Sequence, residues 1–93
     1  LRARSDLDAG RYREAALQLR VAFEAAIAEL EPWRERPSLP RRLEELRGRR
    51  DEVGAAASAA LRGGLDTEHI ETLRSVLARL EAALRARTAS GFH

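Results

Sequence analysis

The sequence predicts an all-α fold, namely an up-down bundle of three long helices that forms a single domain over residues 1–93. Three observations predict it: apolar residues recur at spacings of three and four in three long segments, proline or glycine separates these segments, and alternating strand patterns are absent. A chain of 93 residues forms one small core, which buries roughly 60–65% of the surface of the unfolded chain. We therefore expect marginal stability unless a partner adds burial.

The first long helix is predicted over about residues 11–31, where Pro32 ends it. Its main apolar face consists of Tyr12, Ala16, Leu19, Phe23, Ala26, Ile27 and Leu30. A second, smaller apolar face consists of Leu17, Val21, Ala25 and Ala28. Two apolar faces predict neighbours on two sides of this helix. The sequence leaves open whether a short helical turn at residues 5–9 forms a fourth helix. The linker over residues 33–39 contains Pro37 and is predicted to be extended.

The second long helix is predicted to begin near Ser38, a good N-cap residue that proline follows in the first turn. Its buried stripe consists of Leu39, Leu43, Leu46, Val53, Ala57 and Leu61. Gly48 and Gly54 each cost about 1 kcal/mol relative to alanine in a helix, which predicts a bend or weak point between them. The small residues at positions 55–60 permit a neighbouring helix to approach closely, and the glycine pair at 63–64 ends the helix.

The third long helix has the clearest start in the chain, because Asp66 or Thr67 caps it and Glu68 adds negative charge to its first turn. Its buried stripe consists of Ile70, Leu73, Val76, Leu77, Leu80, Ala83 and Leu84. Oppositely charged residues four positions apart predict one ion pair within each long helix. The predicted pairs are Arg20 with Glu24, Glu45 with Arg49, and Glu81 with Arg85.

The composition excludes several classes of function. The sequence has no apolar run near 18 residues, so we predict no membrane span. It has no cysteine, which excludes disulfide scaffolds, thiolate metal sites and cysteine nucleophiles, and two histidines are too few for most histidine-rich metal sites. We expect no cofactor and no metal. All 17 basic residues are arginine, which GC-rich codon usage favours, so we predict a bacterial, cytoplasmic protein. The abrupt ends at Leu1 and His93 predict a fragment of a longer protein.

An arginine-rich segment is the candidate for nucleic-acid binding. The net charge is only +2, so such binding requires local clustering of arginine. The candidate residues are Trp33, Arg34, Arg36, Arg41, Arg42 and Arg49. Arginine clamps phosphates, and Trp33 offers a ring on which a base can stack. Interleaved acidic residues favour a solvated surface of ion pairs instead, with Trp33 covering the open end of the core.

Residues 10–15, with the sequence Gly-Arg-Tyr-Arg-Glu-Ala, resemble the helix junction of tetratricopeptide repeats. Helix pairs of that family pack tyrosine and alanine at such a junction. No second copy follows at the repeat period, so a solenoid array is not predicted.

The same opening, followed by Leu19, Phe23 and Leu30, resembles the first long helix of HEPN domains. These are small all-α bundles, many of which are metal-independent ribonucleases or nucleotide-binding modules. The hallmark of that family is an arginine followed, after four to six residues, by a histidine, and Arg87 and His93 have five residues between them. The resemblance implies that Arg87 stabilises phosphate charge and that His93 acts in general acid–base catalysis across a dimer seam.

The sequence favours a non-catalytic interaction or oligomerisation module, which pairs with itself as a homodimer or with a helix of a partner protein. This hypothesis depends on the apolar surface, since three helices leave part of it uncovered. The predicted interface residues are Leu17, Val21, Ala56 and Ala60. The alternative is a HEPN-like metal-independent ribonuclease or RNA-binding domain that acts as a dimer.

Overall fold

The computed structural model of the chain describes the backbone of residues 1–90 and the side chains of residues 1–88. These residues are helical and contain no strand, which confirms the predicted all-α class. The five α-helices are α1 Arg2–Asp8, α2 Tyr12–Leu30, α3 Leu39–Arg47, α4 Arg50–Arg62 and α5 Thr67–Ser90. A 3₁₀ helix, Glu31–Trp33, follows α2 directly. The described chain measures 45 × 24 × 18 Å, so the longer helices lie along one axis of an elongated bundle.

The predicted second long helix is two helices, because the chain breaks at Gly48 and Arg49 between α3 and α4. The break lies at the first residue of the predicted weak segment. The up-down course is nevertheless kept. Arg50 at the start of α4 bonds Glu24 of α2, whereas Arg13 near the start of α2 bonds the Ala60 carbonyl near the end of α4. The two helices are therefore antiparallel.

The hydrophobic core is built on α2, which contacts every other helix. The predicted main face of α2 is buried, with Phe23 fully enclosed and Tyr12 only half-buried at its start. The stripe on α5 is also confirmed, although Ile70 and Leu84 at its two ends are half-buried. The sequence predicts Leu61 in the buried stripe of α4, but 64% of its surface is exposed. At 100° per residue, its position is about 100–160° around the helix from the buried Ala56, Ala59 and Ala60, so it faces solvent.

The linker before α3 is folded rather than extended. The Arg36 amide donates a hydrogen bond to the Trp33 carbonyl at 2.9 Å, and the Leu39 amide donates one to the Arg36 carbonyl at 3.2 Å. Ser38 precedes α3 as predicted, but it has a left-handed backbone with φ of 67° and its side chain makes no capping hydrogen bond. The tight turn thus replaces the side-chain cap with backbone hydrogen bonds, and it brings Leu39 into the core.

Asp66 provides the cap of α5, one of the two residues that the sequence left open. Its Oδ1 accepts a hydrogen bond from the His69 amide at 2.9 Å. The predicted glycine stop of α4 is also present, since Gly63 has a φ of 120° that favours glycine. These local signals place the turn between α4 and α5 as the sequence predicted.

The glutamates of the predicted pairs form their side-chain hydrogen bonds with arginines of other helices. Within the helices, the charges of Arg20 and Arg85 still help to lower the pKa of Glu24 and of Glu81. Glu24 accepts two hydrogen bonds from Arg50, at 2.8 and 2.9 Å. Glu45 accepts one from Arg79 at 3.0 Å, and Glu81 accepts two from Arg4 at 3.1 and 2.7 Å. The planar guanidinium forms such two-bond contacts across helices. These pairs fix how the helices align.

The short N-terminal helix is longer than the predicted turn, and it is docked rather than free. Ala3 and Leu7 of α1 are buried in the core, and Arg4 holds Glu81 of α5. The hydrogen bonds of this pair lower the pKa of Glu81, since Arg4 stabilises the carboxylate form. They also raise the pKa of Arg4. Arg4 thus links the N-terminus to the last helix.

Two glycine substitutions are expected to change stability in opposite directions. Gly48 has ordinary helical backbone angles, and an added Cβ would lie 3.5 Å from the nearest carbonyl oxygens. We expect Gly48→Ala to raise the free energy of unfolding by about 0.4–1 kcal/mol, since it restricts the unfolded chain. Gly63→Ala should lower it by about 1 kcal/mol or more, because alanine disfavours a positive φ. Urea denaturation measures both, and a shift in the same direction would contradict this account of the two turns.

Acid is expected to weaken the Arg4–Glu81 contact. A carboxylate whose pKa is lowered by folding adds stability above its unfolded pKa, and this contribution is lost as the pH falls through the folded pKa. Between about pH 5 and pH 3, the wild-type chain should therefore lose more stability than Glu81→Gln, which lacks the titrating group. Glu71→Gln, at an exposed glutamate 4.0 Å from Arg74, is the control and should follow the wild type. Parallel acid profiles for wild type and Glu81→Gln would exclude this contribution.

Candidate functional site

The second apolar face of α2 is exposed over most of its length. We call it the outer strip and define it as Leu17, Val21, Ala25 and Ala28. Val21 is 69% exposed, both alanines are exposed, and Leu17 is half-buried where it packs against the edge of the core. The sequence predicted a neighbour on each apolar face of α2, and the described residues cover only the main face.

Charged side chains border the outer strip. Glu24 is held by Arg50, and this contact lowers the pKa of Glu24 and raises that of Arg50. Beyond it on α2, Glu29 lies 3.7 Å from Arg87 of α5. Glu31 bonds Arg47, and also Arg34 at 3.1 Å. An apolar strip with a charged border has the general anatomy of a protein–protein interface.

Ala56 and Ala60 do not belong to this surface, although the sequence placed them in the interface. Both have 0% exposure and belong to the hydrophobic core. The close neighbour that the small residues of α4 predicted is α2 of the same chain, to which Arg13 and Arg50 align it. The exposed apolar residue of α4 is Leu61, which sequence reasoning missed. The sequence signal for its exposure was its position next to the charged Arg62 and two residues before Gly63, which ends the helix.

Ion pairs occupy part of the arginine-rich segment. Arg34 contacts Glu31 and Glu35, and Arg49 makes two hydrogen bonds to Glu52 at 2.9 Å. This bears out the expectation of an ion-paired surface for these two arginines. Arg49 additionally donates to the Ser75 hydroxyl at 3.0 Å, so it also joins α5.

Arg36 and Trp33 of this segment contact each other. The guanidinium of Arg36 lies 5.1 Å from the centre of the Trp33 ring, within the range of a cation–π contact. Trp33 is 36% exposed. Within the described residues, Arg41 and Arg42 form no ion pair, and the buried Nε of Arg42 has no hydrogen-bond partner. The unneutralised charge of this segment is therefore at the start of α3.

A groove of about 560 Å³ lies beside this segment. It is lined by Glu31, Arg34, Glu35, Pro40, Leu43, Glu44 and Arg47. Its arginines are engaged with its own glutamates, Arg34 with Glu31 and Glu35 and Arg47 with Glu31. The lining includes no serine, threonine, cysteine or histidine, so it brings together no nucleophile and base of the kind that acyl or phosphoryl transfer requires.

Of the two residues of the HEPN-like motif, Arg87 lies within the described part of the chain. Arg87 lies in α5, 29% exposed, and its Nη1 is 3.7 Å from the Glu29 carboxylate. His93 lies outside the described residues, so the pairing of Arg87 with His93 stays a prediction. His69 has a local role, because its Nδ1 lies 3.0 Å from Asp66 Oδ1 at the cap of α5.

Among the residues that the structure describes, no group of three or more histidine, cysteine, aspartate or glutamate side chains is placed to hold a metal ion. The described helices also include none with the length and apolar character needed to cross a membrane. Comparison of the chain with known protein families, with curated proteins and with solved structures gave no match. Functional inference therefore depends on the surface of the chain itself.

RNA affinity in the arginine-rich segment is expected to depend on Arg41 and Arg42. Replacing both with alanine should weaken binding of a labelled single-stranded RNA about tenfold at low salt and reduce the salt slope by about two, since two phosphate contacts are lost. The control is Arg34→Ala with Arg49→Ala, which has the same charge change at ion-paired positions and should have a smaller effect. Fluorescence anisotropy measures both. A flat salt response, or equal losses in the two double variants, would reject this surface.

Proposed function

We propose that the chain is a non-catalytic helical-bundle interaction module of a bacterial cytoplasmic protein, and that the outer strip of α2 is its docking surface. The observation that carries this proposal is the exposure of Val21, at 69%, within an apolar row on a helix whose opposite face is buried. Isolated exposed apolar residues are common, but contiguous apolar rows mark interaction sites.

The strip fits a helical partner. Its members recur at spacings of three and four, which gives a straight row along α2 that another helix can follow. Ala25 and Ala28 are small, so the two helix axes can approach closely. Burying Val21 contributes about 1.5–3 kcal/mol if the side chain is fully enclosed. The charged border then remains in solvent and restricts the orientation of the partner.

A catalytic function has less support from the described residues. The arginines of the 560 Å³ groove beside the arginine-rich segment form ion pairs with its own glutamates, and Arg87 forms an ion pair with Glu29. A HEPN-like ribonuclease or an RNA-binding domain stays the alternative, which depends on His93 for cleavage and on Arg41 and Arg42 for binding. The interaction module requires only residues that the structure describes.

The test compares two alanines that are equivalent apart from their position. Ala25 is in the outer strip, and Ala78 is an exposed alanine in the middle of α5. Aspartate at either site has a similar cost for the helix, so both variants should fold. We expect Ala25→Asp to weaken association at least tenfold, because it places a charge in an apolar contact, and Ala78→Asp to leave it unchanged.

Two assays measure this association. Analytical ultracentrifugation reports self-association of the purified chain. Affinity recovery with immobilised wild type, Ala25→Asp and Ala78→Asp reports binding of other proteins. An association kept by Ala78→Asp and lost by Ala25→Asp supports the proposal. Association that both variants keep, or no association in either assay, would refute the outer strip as a docking surface.

A further inference from the structure

We propose that the partner of the outer strip is a second copy of this chain, and that the two α2 helices pair antiparallel about a two-fold axis. This inference rests on the proposed function and specifies its partner. It depends on the order of charges along the two borders of the strip. Each border is complementary in charge to a copy of itself that runs in the opposite direction.

The charges on the outward sides of α2 change sign near its middle. The residues in its first half and just before it are Arg11, Arg13 and Arg20, and those in its second half and just after it are Glu24, Glu29 and Glu31. Glu14 is the one exception. This order is opposite to the one that stabilises a single helix, whose dipole favours anions at the start and cations at the end. The dipole of α2 therefore does not account for it.

The two borders of the strip have the same order. At 3.6 residues per turn, Arg13 and Arg20 lie on the border that also holds Glu24 and, just beyond the helix, Glu31, next to α4. The other border holds Arg11 and then Glu29. In an antiparallel two-fold pair, each border faces its own reversed copy, so arginine lies near glutamate on both sides. A parallel pair instead places like charges together on both sides, which is unfavourable.

The glutamates keep capacity for a second arginine. Glu24 and Glu29 bond Arg50 and Arg87 of their own chain, yet their side chains remain 52% and 67% exposed. A carboxylate accepts more hydrogen bonds than one arginine supplies. On the opposite half, Arg20 is exposed, and its charge also acts on Glu24 of its own helix. An antiparallel second copy brings its Glu24 diagonally next to this arginine.

The apolar strip sets the register. When Val21 of one copy faces Ala25 of the other, Gln18 faces Ala28, and Arg20 and Arg13 are each offset by two residues, about 3 Å along the axis, from Glu24 and Glu31 of the second copy. Arg11 is bonded to Asp6 of its own chain at 2.9 Å and is offset by about 9 Å from Glu29 of the second copy. The apolar contact is narrow, since its members are mostly alanine. Such small contacts are typical of weak, reversible association. We therefore expect a dimer that forms at micromolar or higher concentration and weakens as salt is added.

Cysteine cross-linking tests the orientation without background, since the chain has no cysteine of its own. The variants are Gln18→Cys and Ala28→Cys, each oxidised alone and as an equimolar mixture. A disulfide requires Cα atoms about 4.4–6.8 Å apart. In the antiparallel register, position 18 of one copy meets position 28 of the other, whereas identical positions are about 15 Å apart along the helix at 1.5 Å per residue. We expect a disulfide dimer in the mixture, at least tenfold more than in either variant alone.

The outcomes separate this inference from the proposed function. Cross-linking in each variant alone, with none added by mixing, would show a parallel pair and overturn the antiparallel inference, although the strip would still be a docking surface. An ultracentrifugation profile that is monomeric up to millimolar concentration would overturn self-pairing, and the proposed function is then decided by the affinity assay with Ala25→Asp and Ala78→Asp. Circular dichroism of the cysteine variants, compared with wild type, ensures that a missing cross-link does not reflect unfolding.

Discussion

The fold depends on the burial of one face of α2, which contacts every other helix. Phe23 and Leu30 on this face are fully enclosed, so removing α2 would leave the remaining helices without a common core. The other described helices cover only the main apolar face of α2. The second apolar face of α2 consequently remains at the surface. The exposed outer strip, which we interpret as functional, is therefore a consequence of how the core is assembled. One face of α2 forms the centre of the bundle, and another face of the same helix lies at its surface.

Ion pairs between helices explain how the bundle keeps its alignment. The side chains of the alanine-rich α4 are too small to interlock with α2 and fix its position along that helix. Packing alone would therefore allow α4 to slide along α2. Arg50 with Glu24 at one end, and Arg13 with the Ala60 carbonyl at the other, fix it at two points. Arg4 with Glu81 has the same role for α1 and α5. Each exposed pair contributes little free energy, but together they select one alignment among several with similar burial.

The sequence predicted which faces are buried, because helical periodicity directly shows them. It also predicted a weak point between Gly48 and Gly54, and it limited the cap of α5 to Asp66 or Thr67. It did not predict the partners of the charged residues. A glutamate four residues from an arginine satisfies the rule for a pair within a helix, yet Glu81 bonds Arg4 at the other end of the chain. Small residues were ambiguous for a related reason. Ala60 fits a docking surface and a tight internal contact equally well, and only the position of α2 decides between them.

The identity of Val21 argues that the outer strip is used for binding. Alanine is the most favourable residue for an exposed helix position, and valine is less favourable by roughly 0.5 kcal/mol because its branched side chain loses rotamer freedom. At 69% exposure, Val21 recovers little of this cost by burial within its own chain. A second helix placed over the strip would bury the valine and offset that cost. The flanking charges keep the uncovered strip soluble, and their order along α2 then selects the orientation in which a second copy fits.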